Sequence, residues 1–300
     1  MSESPSALFA SLEQTLQERH QGVETALREH APRGESPEVL AAVDASLFAP
    51  SKRLRPILAL LVADVLGGDA RSVLPAACAI EMVHTASLIL DDLPAMDDAK
   101  ERRGRPACHV AFGEANAILA AFALLTRGFE VLASGWPGGP EALGRCEIAQ
   151  DLARAVGPSG MIAGQARDLA VTDRTIDFAT LEFIHSRKTG ALFIAAAALG
   201  ARAAGAAPWA QRAVASYAKN LGLAFQIVDD LIDATGAAAE AGKDVGQDLK
   251  KTTFVSFAGI AGARQLASEL TGAAEEALKA FGPAAQPLRE LARYVVARRR

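Results

Sequence analysis

The sequence predicts an all-α fold, and three observations support that prediction. Half of the 300 residues are apolar but only 5% are aromatic, a balance that, with alanine so frequent, favours close-packed helices over sheets. Apolar residues recur at helical spacing along most of the chain. No segment alternates apolar and polar residues as a strand does, and no hairpin signal is found. We therefore expect a single domain over residues 1–300, built from ten or more helices.

Glycine, proline and short polar turns divide the chain into its predicted helices. The first carries leucines and a valine at near-helical spacing among charged residues, and Ser36-Pro37-Glu38 is typical of the start of the second. Several later helices are apolar almost all round, as the central helices of a bundle must be. The predicted helices cover residues 6–30, 38–48, 54–66, 72–92, 110–134, 141–156, 159–171, 178–204, 208–234, 253–281 and 285–298.

Composition and charge exclude several classes of protein. A net charge of −4, from 31 basic and 35 acidic residues, is too balanced for a nucleic-acid partner. The polar start, residues 1–5, has no signal-peptide pattern. The longest apolar run, residues 191–201, falls short of the roughly 20 residues that span a bilayer. The three cysteines are widely spaced and form no metal-binding pattern. We expect a cytoplasmic protein with no membrane span.

The most informative stretch is residues 84–109, where an apolar helical run ends in Asp91 and Asp92. After a break at Pro94, two further aspartates follow, the first of them Asp97. Carboxylates at the C-terminal end of a helix oppose its dipole and repel one another, so a cation is needed. Oxygen ligands alone suit Mg²⁺, and the arginines just downstream suit phosphate. The pattern predicts a metal beside a phosphorylated substrate; the alternative is a solvated loop of mixed charge.

A second acidic cluster follows another apolar run and carries Asp229, Asp230 and Asp233. Asp229 and Asp233 are four residues apart and lie on one face of the predicted helix, with Asp230 about 100° round it. Two such clusters, each followed by basic residues, make a stronger case for a metal-dependent site than either does alone.

Basic segments elsewhere provide further candidate phosphate contacts. Residues 52–56, Lys-Arg-Leu-Arg-Pro, precede a predicted helix, where the alternative is a basic cap on a surface helix. Lys188 enters an apolar stretch, which is costly unless it meets an anion. Residues 236–251 combine glycines with lysines and suit a lid over bound phosphates, although a surface loop is the alternative. The terminal residues 298–300, all arginine, are interpreted as a frayed tail, with a cover over the site as the alternative.

Together these motifs resemble those of the polyprenyl synthetase family, the trans-prenyltransferases that make farnesyl and geranylgeranyl diphosphate. The resemblance runs in order from about residue 50 to 255 and is closest to bacterial members. It implies an isoprenoid-synthase-type bundle around a deep central cavity, with the two acidic clusters facing each other across its mouth. It also implies a homodimer, several Mg²⁺ ions per active site, and two substrates: isopentenyl diphosphate and an allylic diphosphate (dimethylallyl, geranyl or farnesyl).

The resemblance assigns roles to individual residues by matching position. The implied Mg²⁺ ligands are Asp91, Asp92, Asp97, Asp229, Asp230 and Asp233. The implied contacts to the allylic substrate are Arg102, Lys188, Thr189, Gln226 and Lys243, and those to isopentenyl diphosphate are Lys52, Arg55, His84 and Arg103. The expected catalytic residues are Asp91, Asp92, Asp97, Lys188, Asp229 and Asp230.

Product length depends, in this family, on the residues one helical turn before the first acidic cluster. Here they are Ala86 and Ser87, both small, where farnesyl-making bacterial relatives carry an aromatic residue. We therefore expect geranylgeranyl diphosphate as the main product, with farnesyl diphosphate as the alternative. A class I terpene cyclase is less expected because its second metal site mixes Asn, Ser or Thr with Glu. A non-catalytic synthase subunit is less expected because both acidic clusters are intact.

The sequence also departs from the family at two points. Ser51 stands where a glycine is usual, which raises the question of whether the backbone of that loop changes. The chain is about two residues short between Asp248 and Thr253, so that the role of Lys251 stays open.

Overall fold

The computed structural model describes residues 9–172, 174–240 and 252–298, with the side chains of 236–240 excepted. The all-α prediction is confirmed. The helices are α1 (Ala10–His30), α2 (Pro37–Leu47), α3 (Leu54–Val65), α4 (Ala70–Asp91), α5 (Cys108–Phe112), α6 (Glu114–Ser134), α7 (Ala142–Val156), α8 (Met161–Ala170), α9 (Phe178–Lys188), α10 (Gly190–Ala203), α11 (Pro208–Glu240), α12 (Phe254–Ala277) and α13 (Gln286–Ala297). A 3₁₀ helix, Lys279–Ala285, precedes α13.

The chain divides into two compact units. The first, called unit A here, comprises residues 15–151 and 199–206. The second, unit B, comprises the described residues within 1–14, 152–198 and 207–300. That residues 1–300 act as one domain stays a prediction, as does the deep central cavity.

In unit A, α4 is the central helix, and it packs against α3 and α6. Pro75 lies inside α4, yet most of the helix is buried, including its middle turns from Ala76 to Val83. α6 approaches it closely at Gly128, where a Cβ atom would lie 3.1 Å from the carbonyl oxygen of Ala79. Small residues at this contact let the two helices approach, which fits the alanine-rich composition.

In unit B, the 33-residue helix α11 packs along α12, and α9 packs on α8. An apolar core lies where α11 packs on α12, and Leu181 of α9 joins it. Its buried members are Leu181, Leu223, Ile227, Val228, Phe254, Ala263 and Ala267. The hydroxyl of buried Tyr217 donates to the carbonyl of Leu288, 2.7 Å away, and so links α11 to α13. These helices form the rigid support of the second acidic cluster.

Several details differ from the sequence-based expectation. The helix predicted over 110–134 is broken between α5 and α6, and the one predicted over 253–281 ends at Ala277. A short antiparallel hairpin, β1 (Glu101–Arg102) and β2 (Arg105–Pro106), follows the first acidic cluster. The sequence analysis predicted no hairpin. The helix predicted over 178–204 is interrupted at Thr189, between α9 and α10. α11 continues to residue 240 rather than ending at 234.

Two helices have the length and apolar composition of a membrane span. The sequence analysis considered only uninterrupted apolar runs and did not identify them. They are α4, with a mean hydropathy of 1.7, and α6, with 1.6. The protein interior buries 72% of the most apolar stretch of α4 but only 39% of that of α6. A core helix of a soluble protein passes the same test, so the absence of a span stays a prediction.

Candidate active site

The first acidic cluster forms where α4 ends. Asp91 is the last residue of the helix, and the chain then turns back on itself, so that the amide of Asp97 donates to the carbonyl oxygen of Asp91 at 2.9 Å. Asp91 is half-buried and Asp97 is exposed. This turn contains Pro94 and brings the backbone of the first and the third of the cluster's aspartates together in space.

Asp92 differs from its neighbours because it is almost completely buried, with 2% of its surface exposed. The guanidinium of Arg102 donates to both of its carboxylate oxygens, with Nε 3.0 Å from Oδ1 and 3.1 Å from Oδ2. The hydrogen bond to Asp92 raises the pKa of Arg102, and the charges of Asp91 and Asp97 act in the same direction. Arg102 therefore lies within the electrostatic reach of the whole cluster.

The hairpin explains how Arg102 reaches the cluster. Its two turn residues, Arg103 and Gly104, have φ angles of 54° and 71°. Two successive residues with positive φ form the tight turn that matches the natural twist of paired strands. The pairing of Arg102 with Arg105 closes the loop and holds Arg102 against the end of α4.

The basic segment before α3 is organised by Arg53, which the sequence analysis did not assign to the site. Its side chain is fully buried, with Nη1 2.7 Å from Oε1 of Glu81 and Nε 2.6 Å from Oε1 of Glu24. It also donates to the carbonyl of Leu47 at 2.5 Å. Burial opposes its charge, but the two carboxylates raise the pKa of Arg53. Arg53 thus anchors the loop that carries Lys52 and the first turn of α3, which carries Arg55.

The left-handed residue of this loop is Arg53 itself, with a φ angle of 47°. Ser51 is not among the described residues with positive φ, so the serine at the position of the family's glycine needs no special backbone conformation. Lys52 is exposed on the loop, as a contact to an incoming anion requires.

His84 and Arg55 lie side by side, as their shared assignment to isopentenyl diphosphate requires. Nη1 of Arg55 donates to Nε2 of His84, 3.1 Å away. Burial and the positive charges of Arg55 and Arg103 lower the pKa of His84 well below its usual value. Burial also lowers the pKa of Arg103. His84 is therefore neutral, and the positive charge of this site comes from Arg55 and Arg103.

Ala86 and Ser87 lie one turn before the first acidic cluster. Ala86 is buried, and Ser87 is half-buried with its hydroxyl donating to the carbonyl of His84 at 2.7 Å. Met82 and Val83, one further turn back, are buried as well. The side chains at 86 and 87 are therefore too small to extend far from this face of α4.

The second acidic cluster, in unit B, is held by a chain of hydrogen bonds. The hydroxyl of Thr189 donates to Oε1 of Gln226 at 2.9 Å, and Nε2 of Gln226 donates to Oδ1 of Asp230 at 3.1 Å. The amide of Phe254, the first residue of α12, donates to Oδ2 of Asp230 at 2.9 Å. Asp230 is 8% exposed, and burial raises its pKa, with Asp229 and Asp233 adding to the effect.

Lys188 is paired with Asp168, which the sequence analysis did not assign to the site. Nζ of Lys188 lies 2.9 Å from Oδ2 of Asp168. The two helices that carry them come very close at Gly164, where a Cβ atom would lie 2.3 Å from the backbone nitrogen of Lys188. This close approach accounts for the glycine and fixes the position of the lysine at the end of α9.

Arg298 also belongs to this site, contrary to the interpretation of the C-terminus as a frayed tail. It follows α13 directly, and its Nη2 lies 2.6 Å from Oδ1 of Asp229 and 2.8 Å from the carbonyl oxygen of Phe225. Burial lowers the pKa of Arg298, and the charge of Asp229 only partly offsets this. No sequence signal indicated the contact, because it joins residues 69 positions apart.

Other predicted residues lie outside the described part of the chain. These are Lys243 and Lys251, with most of the predicted lid over residues 236–251, and the last two arginines, 299 and 300.

The donor set at both clusters fits Mg²⁺. In residues 9–172, 174–240 and 252–298, no three His, Cys, Asp or Glu side chains are grouped as a ligand cage built by the protein alone would be. Mg²⁺ does not require such a cage, because it usually keeps several waters and binds one or two carboxylates together with substrate phosphates. Asp91 and Asp97 can supply carboxylates at one cluster, and Asp229 and Asp233 at the other, since none of the four is fully buried.

Comparison with known proteins identifies the family. Residues 36–282 match the family described as Polyprenyl synthetase. The chain is 43% identical over 288 residues to a geranylgeranyl diphosphate synthase of Cyanophora paradoxa, covering 94% of this chain and 95% of the relative. It is 44% identical over 258 residues to a farnesyl diphosphate synthase of Geobacillus stearothermophilus, covering 85% and 87%.

The fold has matches among solved structures. A crystal structure of an FPP/GFPP synthase from Zymomonas mobilis superposes with a TM-score of 0.85 at 35% identity, covering 96% of this chain and 99% of that one. A geranyltransferase from Legionella pneumophila gives a TM-score of 0.83 at 32% identity, covering 96% of each. The chain therefore belongs to the polyprenyl synthetase family, and the prediction that it is a prenyltransferase enzyme is confirmed.

Proposed function

We propose that this protein elongates an allylic diphosphate by condensing it with isopentenyl diphosphate, and that geranylgeranyl diphosphate is its main product. The observation that carries the proposal is common to both acidic clusters. In each, the middle aspartate, Asp92 or Asp230, is buried and accepts hydrogen bonds from the protein. The flanking aspartates are left nearer the solvent, where a metal–diphosphate complex can reach them. Under this proposal, residues 1–300 act as one catalytic domain.

Different side chains bind the two diphosphate substrates. Bound Mg²⁺ supplies a Lewis acid that neutralises the diphosphate as it leaves. Arg102 lies beside Asp92 of the first cluster and is a further cation for the developing charge. The resemblance assigns Lys188, which pairs with Asp168, to the allylic substrate as well. Arg55 and His84 form the second phosphate site, where the neutral imidazole donates or accepts a hydrogen bond without adding charge.

The reaction follows from these placements. The bond between the allylic carbon and the diphosphate oxygen breaks, and the electron pair leaves with the diphosphate. The double bond of isopentenyl diphosphate then forms the new carbon–carbon bond, and the released diphosphate takes the proton that is lost. The binding residues contribute by holding the two substrates in line, which lowers the entropic part of the barrier.

Product length depends on Ala86 and Ser87, because a growing hydrocarbon can pass small side chains but not an aromatic ring. Incubation with isopentenyl diphosphate, each allylic diphosphate and Mg²⁺, followed by dephosphorylation and chromatography, identifies the product. We expect geranylgeraniol from the wild type and a shift to farnesol for Ala86→Tyr. Ser134→Phe, which adds an aromatic ring at an exposed end of α6, should leave the product unchanged.

The same assay tests the reaction class. Chelation of Mg²⁺ should abolish turnover, and Asp91→Asn or Asp229→Asn should each lower it by at least about a hundredfold, since each removes stabilisation of the leaving group. Farnesol as the main product of the wild type would favour a farnesyl diphosphate synthase of the same family. A cyclic hydrocarbon formed without isopentenyl diphosphate would instead indicate a terpene cyclase.

We further propose that the protein is a cytoplasmic homodimer that uses one face of α5 and α6. This face is apolar and exposed; Leu119 and Phe122 are 52% and 58% exposed, and Val110 on α5 and Ile118 on α6 are 50% and 37% exposed. The opposite side of α6 packs inside unit A. A one-sided apolar patch of this kind is typical of a surface that meets another protein, and a second copy covers it on both partners at once.

Light scattering after size-exclusion chromatography tests the dimer. The wild type should have twice the mass of one chain, and Phe122→Lys should shift it toward the monomer because it places a charge in the proposed interface. Phe257→Lys changes another phenylalanine with 52% of its surface exposed, on α12, and should leave the mass unchanged. A monomeric wild type would contradict the proposal.

A further inference from the structure

The side chain of Arg298 occupies the second acidic cluster from the C-terminal end of the chain. Its Nη2 lies 2.6 Å from Oδ1 of Asp229 and 2.8 Å from the carbonyl oxygen of Phe225. Its guanidinium carbon lies 3.9 Å from the centre of the Phe225 ring. A charged hydrogen bond, a neutral one and a cation–π contact therefore converge on one guanidinium.

This guanidinium is well protected from solvent, while its carboxylate partner is not. The side chain of Arg298 is 9% exposed and that of Asp229 is 37% exposed. Within the described part of the chain, Nε of Arg298 has no hydrogen-bond partner. A buried donor without a partner costs free energy, which offsets part of what the contacts of this guanidinium contribute.

We propose that Arg298 is a positioning residue that acts as a tethered counter-cation for Asp229, and that a divalent metal ion must displace it to coordinate this carboxylate. The inference rests on the proposed function, because it assumes that Asp229 is a metal ligand. The guanidinium lies 2.6 Å from Oδ1 of Asp229 and partly neutralises the carboxylate, so a metal ion that binds this oxygen competes with the arginine for it.

The consequence is an order of binding. A cation fixed beside the carboxylate weakens the binding of a second cation through direct competition and through charge repulsion. Free metal then binds the second cluster weakly. Metal that arrives together with a diphosphate carries extra ligands and negative charge, and it displaces the arginine more readily. The second cluster is thus filled by the metal–substrate complex rather than by metal alone.

Titration with Mn²⁺ alone, a paramagnetic substitute for Mg²⁺, measures this without any turnover. Free Mn²⁺ is followed by electron paramagnetic resonance in the full-length protein. Arg298→Gln should tighten Mn²⁺ binding on the order of tenfold, as expected from removing one charge near the site. Asp229→Asn should abolish the difference between the arginine and glutamine forms, because the two groups act on the same ion.

Arg293→Gln is the matched control. Arg293 lies on α13, the helix that Arg298 follows, and pairs in the same way with Glu275 at 2.6 Å, outside the acidic cluster. Its replacement should leave Mn²⁺ affinity at the wild-type value. Arg298→Lys keeps the charge and should return the affinity toward the wild-type value. If instead both changes at 298 alter the affinity equally, the effect is structural damage and the proposal is wrong.

Hydrogen exchange in the wild type gives a second test that needs no variant. Mn²⁺ without diphosphate, at saturating concentration, should increase amide exchange at residues 294–298, because the release of Arg298 removes an anchor of the last turn of α13. Unchanged exchange under saturating metal would overturn the proposal.

The two proposals fail in distinguishable ways. If Mn²⁺ binding depends on Asp229 but Arg298→Gln leaves it unchanged or weaker, the counter-cation role is wrong and the proposed function stands. If neither Asp91→Asn nor Asp229→Asn affects Mn²⁺ binding in the wild type or in Arg298→Gln, the metal-binding role of the clusters fails, and this inference fails with it.

Discussion

Arg53→Met tests how the basic loop before α3 is held. The guanidinium is fully buried against Glu81, whose side chain is only 2% exposed, at 2.7 Å. Methionine is close in length and is as costly as arginine at a φ angle of 47°, so the change removes the charge without changing the backbone strain. It leaves Glu81 buried without its cation, and breaking a buried pair in this way costs about 3–5 kcal/mol.

Such a loss is a large part of the stability of a domain, which is about 5–15 kcal/mol. Urea unfolding followed by circular dichroism should resolve it, and the melting temperature should fall by roughly 10 °C. Glu24, the other partner, is 25% exposed and can be hydrated, so it adds less to the cost. Turnover should fall as well, because Lys52 and Arg55 lose their anchor.

The double variant Arg53→Met with Glu81→Leu separates the buried charge from simple loss of packing. Without the stranded carboxylate, most of the cost should be recovered, leaving about 1–2 kcal/mol. Arg19→Met is the matched control, because Arg19 pairs with Asp64 at 2.7 Å but both side chains are about one-third exposed; it should cost less than about 1 kcal/mol. If the double variant were as unstable as the sum of its singles, the electrostatic argument would be refuted.

Two further predictions concern other parts of the site. Because the folded protein holds the pKa of His84 well below 6.5, the unfolded chain gains a proton first, and the free energy of unfolding should fall below pH 6.5 by up to about 1.4 kcal/mol per pH unit. Urea unfolding at pH 7.5 and 5.5 measures this fall in the wild type, and the part of it that His84 causes should be absent in His84→Gln. Gly164→Ala should destabilise the protein and lower turnover, since its Cβ would lie 2.3 Å from the nitrogen of Lys188. Gly22→Ala, where a Cβ would meet nothing within 4 Å, should stabilise α1 by about 0.5–1 kcal/mol; equal effects of the two changes would contradict the packing argument.

The helices were predictable because glycine and proline mark their ends and apolar residues repeat along them. The bounds of α2, α3 and α7 differ from the prediction by one residue or none at each end. The break at Thr189 was not predictable from periodicity, since the residues on both sides are equally helical. The hairpin at residues 101–106 was missed because two-residue strands are too short to alternate.

The candidate site was only partly predictable. Clusters that are contiguous in the chain, such as Asp91 with Asp97, were found from the sequence because their spacing carries the signal. Asp168 and Arg298 were not assigned, because their partners, Lys188 and Asp229, are 20 and 69 residues away. Such pairs depend on how helices pack, which no local pattern records.

Gln226 has a consequence for how this enzyme can be redesigned. It accepts a hydrogen bond from Thr189 at one end and donates one to Asp230 at the other, and Asp230 in turn receives the first amide of α12. Glutamate cannot donate at the second end, and methionine offers little at either. Libraries that vary the walls of the hydrocarbon site to obtain other chain lengths should therefore keep this amide fixed, because it joins the junction of α9 and α10 to the start of α12.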